Sequence, residues 1–199
     1  PNGAGKTTAF NCVTGVYEPT NGKIEYCGET IAENFPRGKM KRLYAGEHNG
    51  MYTKSVSLTP DAITRRGIAR TFQNIRLFSS MTAFENVEFA LRLTGLPYKE
   101  RVERARQSLI QVGLEKRINH RPGEMSGGEQ QRVAIARAIS HSPKIIFADE
   151  PTAELDSPTA LAVMTLFKEL VRQNDLTIVM TTHDTTMMDL ADNVYTLED

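Results

Sequence analysis

Apolar residues recur along the chain in two different spacings, and their alternation predicts an α/β fold. Apolar positions three or four residues apart indicate helices, as on the face formed by Val133, Ala136 and Ile139. Short runs rich in apolar and β-branched residues indicate strands. These runs lie at 68–72, 145–148, 176–181 and 193–197. Strands that alternate with helices favour a mainly parallel sheet with right-handed crossovers.

Capping patterns predict where several helices begin. Thr82 and Ser126 are each followed three residues later by a glutamate, Glu85 and Glu129, which predicts two capping boxes. Ser157 stands before a proline, which is favoured in the first turn of a helix. Ser157 is therefore the expected cap of a later helix.

The remaining segments predict a small β-structure followed by a helical insertion. Short strands are expected at 23–26 and 29–31, and a short helix at 61–66. The polar segment 33–60 is punctuated by glycine and proline, so we expect a long loop or an edge β-excursion there. The segment 74–124 has mainly helical periodicity and predicts an inserted helical subdomain.

Composition and charge narrow the classes of function. The 24 Lys and Arg residues balance 24 Asp and Glu residues, which argues against bulk attraction to nucleic acid. Cys12 and Cys27 are too few for a disulfide framework and fit a reducing compartment. No apolar run approaches the ~20 residues that cross a bilayer, so we expect any membrane role to come through a partner.

The chain begins with a phosphate-loop pattern. The residues that match G-x-x-x-x-G-K-[ST], without its first glycine, are Pro1, Asn2, Gly3, Ala4, Gly5, Lys6, Thr7 and Thr8. In such a loop, backbone N–H groups and a helix N-terminus bind phosphate oxygens. Lys6 is expected to reach the β- and γ-phosphates, and the Thr7 hydroxyl to bind Mg²⁺. The missing first glycine predicts a fragment, which we expect to be truncated at both ends.

Polar residues at the ends of predicted strands form a second candidate site. Asp149 and Glu150 follow the apolar run 145–148, and adjacent carboxylates at the end of a buried strand suit metal and water chemistry at a phosphate. Gln73 and His183 also follow predicted strands. Either of these two alone would be an ordinary polar residue, and only their place in the series of motifs makes them candidates. His120 and His141 have no metal-ligand company at sensible spacing and are expected at the surface.

The segment 125–156, MSGGEQQRVAIARAISHSPKIIFADEPTAELD, resembles the signature motif, Walker B motif and D-loop of ABC ATPases. That family is built on the P-loop NTPase fold, and the resemblance implies a role for each candidate. The implied metal residues are Thr7, Gln73 and Asp149. The implied catalytic residues are Glu150 as general base, His183 as the switch histidine and Gln73 of the Q-loop.

The resemblance also implies that the signature motif and the carboxylates Asp149 and Glu150 act on two different ATP molecules. In a head-to-tail dimer the signature motif would cap the ATP held by the second subunit. The signature residues are Ser126, Gly127, Gly128 and Glu129. Asp156 falls on the D-loop that would cross this interface, although the family usually has Ser or Asn where Glu154 stands.

The implied assembly is an ATP-powered membrane transporter. An ABC ATPase domain would cover 1–199, with a catalytic core at 1–73 and 140–199 and a helical signature subdomain at 74–139. The expected cofactors are ATP and Mg²⁺. The expected partners are a second ATPase subunit, identical or different, and transmembrane permease subunits, with no nucleic acid. The permease subunits would hold the chain in the cytoplasm, at the inner face of the cell membrane.

The two halves of the chain resemble different transporter subfamilies. The segment 67–78, with 81–82 and 85–87, is similar to ATPases of branched-chain amino acid importers, whereas 126–137 and 147–157 are similar to lipoprotein-release and macrolide-export ATPases. Amino-acid import is therefore one expected function, and export is the alternative. A soluble ABC ATPase of translation or DNA repair is the other alternative, although no sustained heptads like those of the DNA-repair class occur.

Overall fold

The computed structural model describes residues 5–43, 54–71 and 77–196. The chain forms two compact units, one from Gly5 to Arg66 and the other from Gly67 onward. None of the helices in these ranges combines the length and the apolar character needed to cross a membrane.

The first unit contains a three-stranded antiparallel sheet in the order β1-β2-β3. Its elements are α1 (Lys6–Val13), β1 (Gly22–Tyr26), β2 (Glu29–Asn34), α2 (Met40–Leu43), β3 (Val56–Ser57) and α3 (Pro60–Arg65). Cys27 and Gly28 join β1 to β2 with φ values of 51° and 80°, as a tight hairpin turn requires. Because β3 pairs with β2, an edge β-excursion is confirmed at the end of the 33–60 segment. Residues 44–53 of that segment lie outside the described ranges.

The second unit is built on a parallel sheet in the order β4-β5-β6. Its strands are β4 (Ile68–Thr71), β5 (Ile145–Asp149) and β6 (Thr177–Thr181). Its helices are α4 (Ala83–Arg92), α5 (Tyr98–Gln111), α6 (Gly127–Ile139), α7 (Ser157–Asn174) and α8 (Thr185–Met188), with 3₁₀ turns at Glu115–Arg117 and Pro122–Glu124. The parallel sheet predicted from the apolar runs is confirmed. β5 lies between the other two strands and delivers Asp149 at its carboxyl end.

The predicted capping boxes are both present. The Thr82 hydroxyl accepts a hydrogen bond from the Glu85 N–H at 3.2 Å, and the Glu85 carboxylate accepts one from the Thr82 N–H at 2.7 Å. Ser126 and Glu129 make the same reciprocal pair at the start of α6. The helices then bury their apolar faces in one core. Its fully buried members include Val87, Leu91, Leu109, Val112, Val133 and Ile135.

A buried carboxylate ties α4 to α5. The Glu88 side chain is only 3% exposed, and its two oxygens accept hydrogen bonds from Arg92 Nε and Arg101 Nε, each at 2.8 Å. Burial alone would raise the pKa of Glu88, but the hydrogen bonds from Arg101 and Arg92 outweigh burial and hold the pKa below its ordinary value. Glu88 is therefore a charged cross-link between two helices.

Three expectations from the sequence are wrong. Asp156, rather than Ser157, caps α7, because its carboxylate accepts the Thr159 N–H at 2.8 Å. Residues 193–196 form no strand; Val194 and Tyr195 are exposed there, and a local apolar pattern cannot supply the neighbouring strand that a ladder needs. His141, expected at the surface, is half-buried with its Nε2 atom enclosed, and burial lowers the pKa of its ring.

Candidate active site

The carboxyl ends of β5 and β6 bring the second candidate site together. Asp149 ends β5, and its register partner Thr181 ends β6. Glu150 directly follows the first of these strand ends, and His183 lies two residues beyond the second. Because adjacent parallel strands end at the same edge of a sheet, residues far apart in the sequence meet there. A cleft of about 130 Å³ opens at this edge, lined in part by Glu150, Thr152 and His183.

Asp149 is the buried carboxylate of the site, with an exposed fraction of 1%. Its Oδ1 atom accepts a hydrogen bond from the Thr181 hydroxyl at 2.8 Å. Its Oδ2 atom lies 3.1 Å from an amino nitrogen of Arg70, whose side chain is 8% exposed. Arg70 of β4 therefore compensates the charge of Asp149 inside the protein, and Thr181 of β6 donates a hydrogen bond to its other oxygen.

Glu150 has an uncommon backbone conformation. Its φ of 44° lies in the left-handed region, which costs a residue other than glycine about 1–3 kcal/mol and persists where surrounding contacts enforce it. Here the Glu150 N–H donates to the carbonyl oxygen and to the hydroxyl of Thr181, each at 3.1 Å. Thr181 thus fixes the backbone at Glu150 while its hydroxyl also holds Asp149.

The carboxylate of Glu150 faces the predicted switch histidine. Its Oε2 atom lies 3.2 Å from His183 Nδ1, with side-chain exposures of 15% for Glu150 and 61% for His183. The carboxylate is sheltered, while much of the imidazole remains open to a ligand. A sheltered carboxylate oriented by a histidine suits proton transfer from water.

The signature residues lie at the start of α6. Ser126 and Gly127 are exposed there, and helical geometry leaves the first N–H groups without partners in the helix, which favours an anion. Gly128 is buried, and a Cβ atom on it would overlap the Cγ2 methyl of Thr159 on α7. Glu129 completes the capping box and also accepts a hydrogen bond from Arg117 Nε at 2.9 Å. Gly127 thus keeps the helix N-terminus accessible, whereas Gly128 allows α6 to pack closely against α7.

Asp156 is engaged within its own helix. Hydrogen bonds from the hydroxyl and the N–H of Thr159 lower the pKa of Asp156. Since Thr159 also sets the space above Gly128, the start of α7 connects the predicted D-loop residue to the signature helix.

The described phosphate-loop residues, Gly5 to Thr8, belong to the first unit. Gly5 adopts a left-handed conformation with a φ of 73° immediately before α1, and Lys6, Thr7 and Thr8 form the first turn of that helix. Such a turn presents its N–H groups to an anion. The other predicted phosphate-loop residues, Pro1, Asn2, Gly3 and Ala4, lie outside the described residues, as does Gln73.

Sequence reasoning missed two members of the site, Arg70 and Thr181. Both stand in runs that predict strands, where a single polar residue gives little sign of its role. The one available signal was the arginine inside the apolar run at 68–72, because a charge in a buried strand needs a partner.

Comparisons with known proteins indicate the family of the chain. A family model described as "ABC transporter" matches residues 1–153. The ABC transporter H family member 2 of Dictyostelium discoideum is 36% identical over 199 residues, which is 100% of this chain but 35% of that protein. An uncharacterized ABC transporter ATP-binding protein of Methanocaldococcus jannaschii is 39% identical over 200 residues, covering 100% of this chain and 79% of the relative.

Solved structures of similar fold are dimeric cassettes. An ATP-binding cassette in a dimeric post-hydrolysis state, bound to ADP and Pi, has a TM-score of 0.73 and 33% identity over 96% of this chain and 75% of that one. The fold and the strand-end site thus define the class, an α/β ATPase with the P-loop NTPase fold. The chain belongs to the ABC transporter family and is an ATP-binding cassette of that family.

Proposed function

We propose that the protein containing this chain hydrolyses ATP to power a membrane transporter. The observation that carries the proposal is the 3.2 Å pair between Glu150 Oε2 and His183 Nδ1, beside the buried Asp149. Glu150 accepts a proton from the attacking water as the oxygen of that water bonds to the γ-phosphorus. The bond from this phosphorus to the β–γ bridging oxygen breaks, and ADP leaves. His183 orients the carboxylate and offers its exposed ring to the γ-phosphate.

The loop and strand-end residues have distinct roles toward the nucleotide. Lys6, with the N–H groups of the residues from Asn2 to Thr8, binds the phosphates. Glu150 and His183 act at the reacting γ-phosphate. Gln73 would sense that phosphate and would help to hold the metal and the attacking water.

The residues present fit Mg²⁺ as the cofactor of ATP. Mg²⁺ prefers oxygen ligands and is held in such sites by one or two carboxylates, with substrate phosphates and water completing the shell. The three proposed residues offer a hydroxyl, an amide and a carboxylate oxygen, and hard oxygen donors of this kind suit the ion. Thr7, Gln73 and Asp149 would hold the ion. When bound, it would neutralise charge on the transferring phosphoryl group.

The proposed assembly is a head-to-tail dimer in which each signature acts on the partner's nucleotide. The exposure of Ser126 and Gly127 at a helix N-terminus supports this, because the chain carries a separate phosphate loop. Gly128 and Glu129 would shape that N-terminus, and Asp156 would cross the interface. The division that accompanies this model is a catalytic core at 1–73 and 140–199 with a signature subdomain at 74–139. Permease subunits would hold the dimer at the inner, cytoplasmic face of the cell membrane.

The direction of transport is a finer proposal. Amino-acid import rests on the segment from Gly67 to Val87, and export rests on the segment from Ser126 to Ser157. Co-purification of the protein with its permease, followed by transport of leucine or of a macrolide in sealed vesicles with ATP on one side, separates the two. ATP-dependent movement of leucine to the ATP side indicates amino-acid import, and movement of the macrolide away from the ATP side indicates export. Purification without any membrane protein would favour a soluble ABC ATPase.

Glu150→Gln tests the catalytic part directly. We expect ATP turnover to fall by about 100-fold or more, the value of a general base, while ATP binding is retained. Glu169→Gln is the matched control, because Glu169 is exposed on the last turns of α7. Unchanged ATP hydrolysis in the Glu150 variant would show that Glu150 is not the general base.

A further inference from the structure

The buried ion pair between Arg70 and Asp149 calls for a functional explanation. A charged residue in a buried strand is costly, and replacing a buried ion pair by apolar residues of similar volume is often neutral or stabilising. Arg70 stands in β4 between Ala69 and Thr71, which are 3% and 2% exposed. Stability alone therefore gives little reason for an arginine here.

The sheet register brings the arginine to the carboxylate. Arg70 pairs with Phe147 across the parallel β4 and β5 strands, and Asp149 lies two residues further along β5 on the same face. The guanidinium thus reaches along the sheet to the strand end, where its amino nitrogen lies 3.1 Å from Asp149 Oδ2. From the other side Thr181, the register partner of Asp149, donates its hydroxyl to Oδ1 at 2.8 Å.

We propose that Arg70 and Thr181 are positioning residues that hold the Asp149 carboxylate ready for the Mg²⁺ of the nucleotide. Each binds a different carboxylate oxygen, so together they fix the plane of the group. Partners of this kind orient metal-binding side chains, and their loss typically costs about 10–100-fold in metal affinity or activity. The inference rests on the proposed role of Asp149 toward Mg²⁺ and adds the two residues that orient it.

The test uses binding rather than turnover. Binding of a fluorescent ATP analogue to the full protein is titrated with Mg²⁺ at a fixed nucleotide concentration. We expect Arg70→Leu to raise the Mg²⁺ concentration for half-maximal binding about 10-fold or more. Arg70→Lys, which keeps the charge but loses the planar fork, should fall between this variant and the wild type. Thr181→Val, which removes only the hydroxyl donor, should also raise the requirement.

Arg101→Leu is the matched control, because it breaks the buried ion pair with Glu88 in the helical part of the chain. It should lower stability and leave the Mg²⁺ requirement unchanged. An Arg70→Leu variant that loses stability with an unchanged Mg²⁺ requirement would overturn the proposal. So would a lowered requirement, which would mean that Arg70 competes with the cation.

Three further outcomes complete the test. If Arg70→Leu does not fold, Arg70→Lys and Thr181→Val decide the question, and unchanged Mg²⁺ titrations of both overturn the proposal. If nucleotide binding by the wild-type protein does not depend on the Mg²⁺ concentration, the proposed metal site itself is wrong. Wild-type dependence on Mg²⁺ with unaltered variants would overturn only the roles of Arg70 and Thr181.

Discussion

Thr181 contacts both carboxylate residues at the end of β5, since its hydroxyl donates to Asp149 Oδ1 and accepts from the Glu150 N–H. The second contact accompanies the left-handed backbone of Glu150, which turns the chain immediately after the strand. The side chain of Glu150 then lies next to the ring of His183. One threonine therefore links the orientation of the predicted metal residue to that of the predicted base.

His183→Ala should lower ATP turnover at least about 10-fold with little change in stability. The ring is 61% exposed, so few packing contacts are lost, whereas the carboxylate of Glu150 loses the group that orients it. Steady-state hydrolysis and thermal unfolding of the same preparation measure the two effects. His120→Ala, which alters a histidine near the end of the helical part, is the control. Equal turnover in both variants would exclude His183 from catalysis.

ATP should drive dimerisation of Glu150→Gln. We expect this variant to bind ATP without hydrolysing it. The proposed contact between the signature and the partner's nucleotide should therefore persist. Sedimentation with saturating ATP and Mg²⁺ should detect a dimer that is lost when ADP replaces ATP. A strictly monomeric profile with saturating ATP would contradict the head-to-tail model.

Gly128→Ala should lower the free energy of unfolding by about 1–3 kcal/mol, the usual cost of overpacking. The added methyl would overlap Thr159 Cγ2, so Thr159→Ser, which removes that methyl, should recover much of the loss. Gly127→Ala is the control for stability, because its Cβ would meet Leu155 at an ordinary 3.7 Å. Denaturant unfolding of the two single variants and the double variant measures the coupling. Additive losses would show that Gly128 and Thr159 do not share this space.

Glu88→Gln should lower the free energy of unfolding by about 2–3 kcal/mol near pH 7, because two arginines lose a charged partner. The pKa of Glu88 is lowered in the folded state, so its contribution is present above the unfolded value of about 4.3 and is lost as pH falls through the folded pKa. Denaturant unfolding from pH 7 to pH 3 should therefore show the difference in unfolding free energy between the wild type and the variant narrowing towards the acidic end. A constant difference across this range would contradict the assignment.

Several residues that resemble those of the importers stabilise the helical part of the chain, whatever substrate is transported. Thr82 and Glu85 form a capping box. The buried Asn86 side chain accepts from the Phe78 N–H and donates to backbone oxygens from Phe78 to Thr82, which fixes the loop before α4. Val87 is fully buried in the core. Resemblance in this segment therefore reflects how the helical part is built, and transport experiments are needed to assign a substrate.

The sequence by itself determined the local features of this protein. The capping boxes at Thr82 and Ser126, the apolar run of β5 and the carboxylates that follow it depend on residues within a few positions of each other. Local periodicity and hydrogen bonding encode such features directly. The order of the motifs was enough to indicate the ABC family.

Only the tertiary structure decided which residues surround the strand end. Arg70 and Thr181 lie 79 and 32 positions from Asp149, and they meet it because β5 is placed between β4 and β6 in parallel register. The contact of Gly128 with Thr159 likewise depends on how α6 packs against α7. Strand order and helix packing arise from burial across the whole core, which no local pattern specifies.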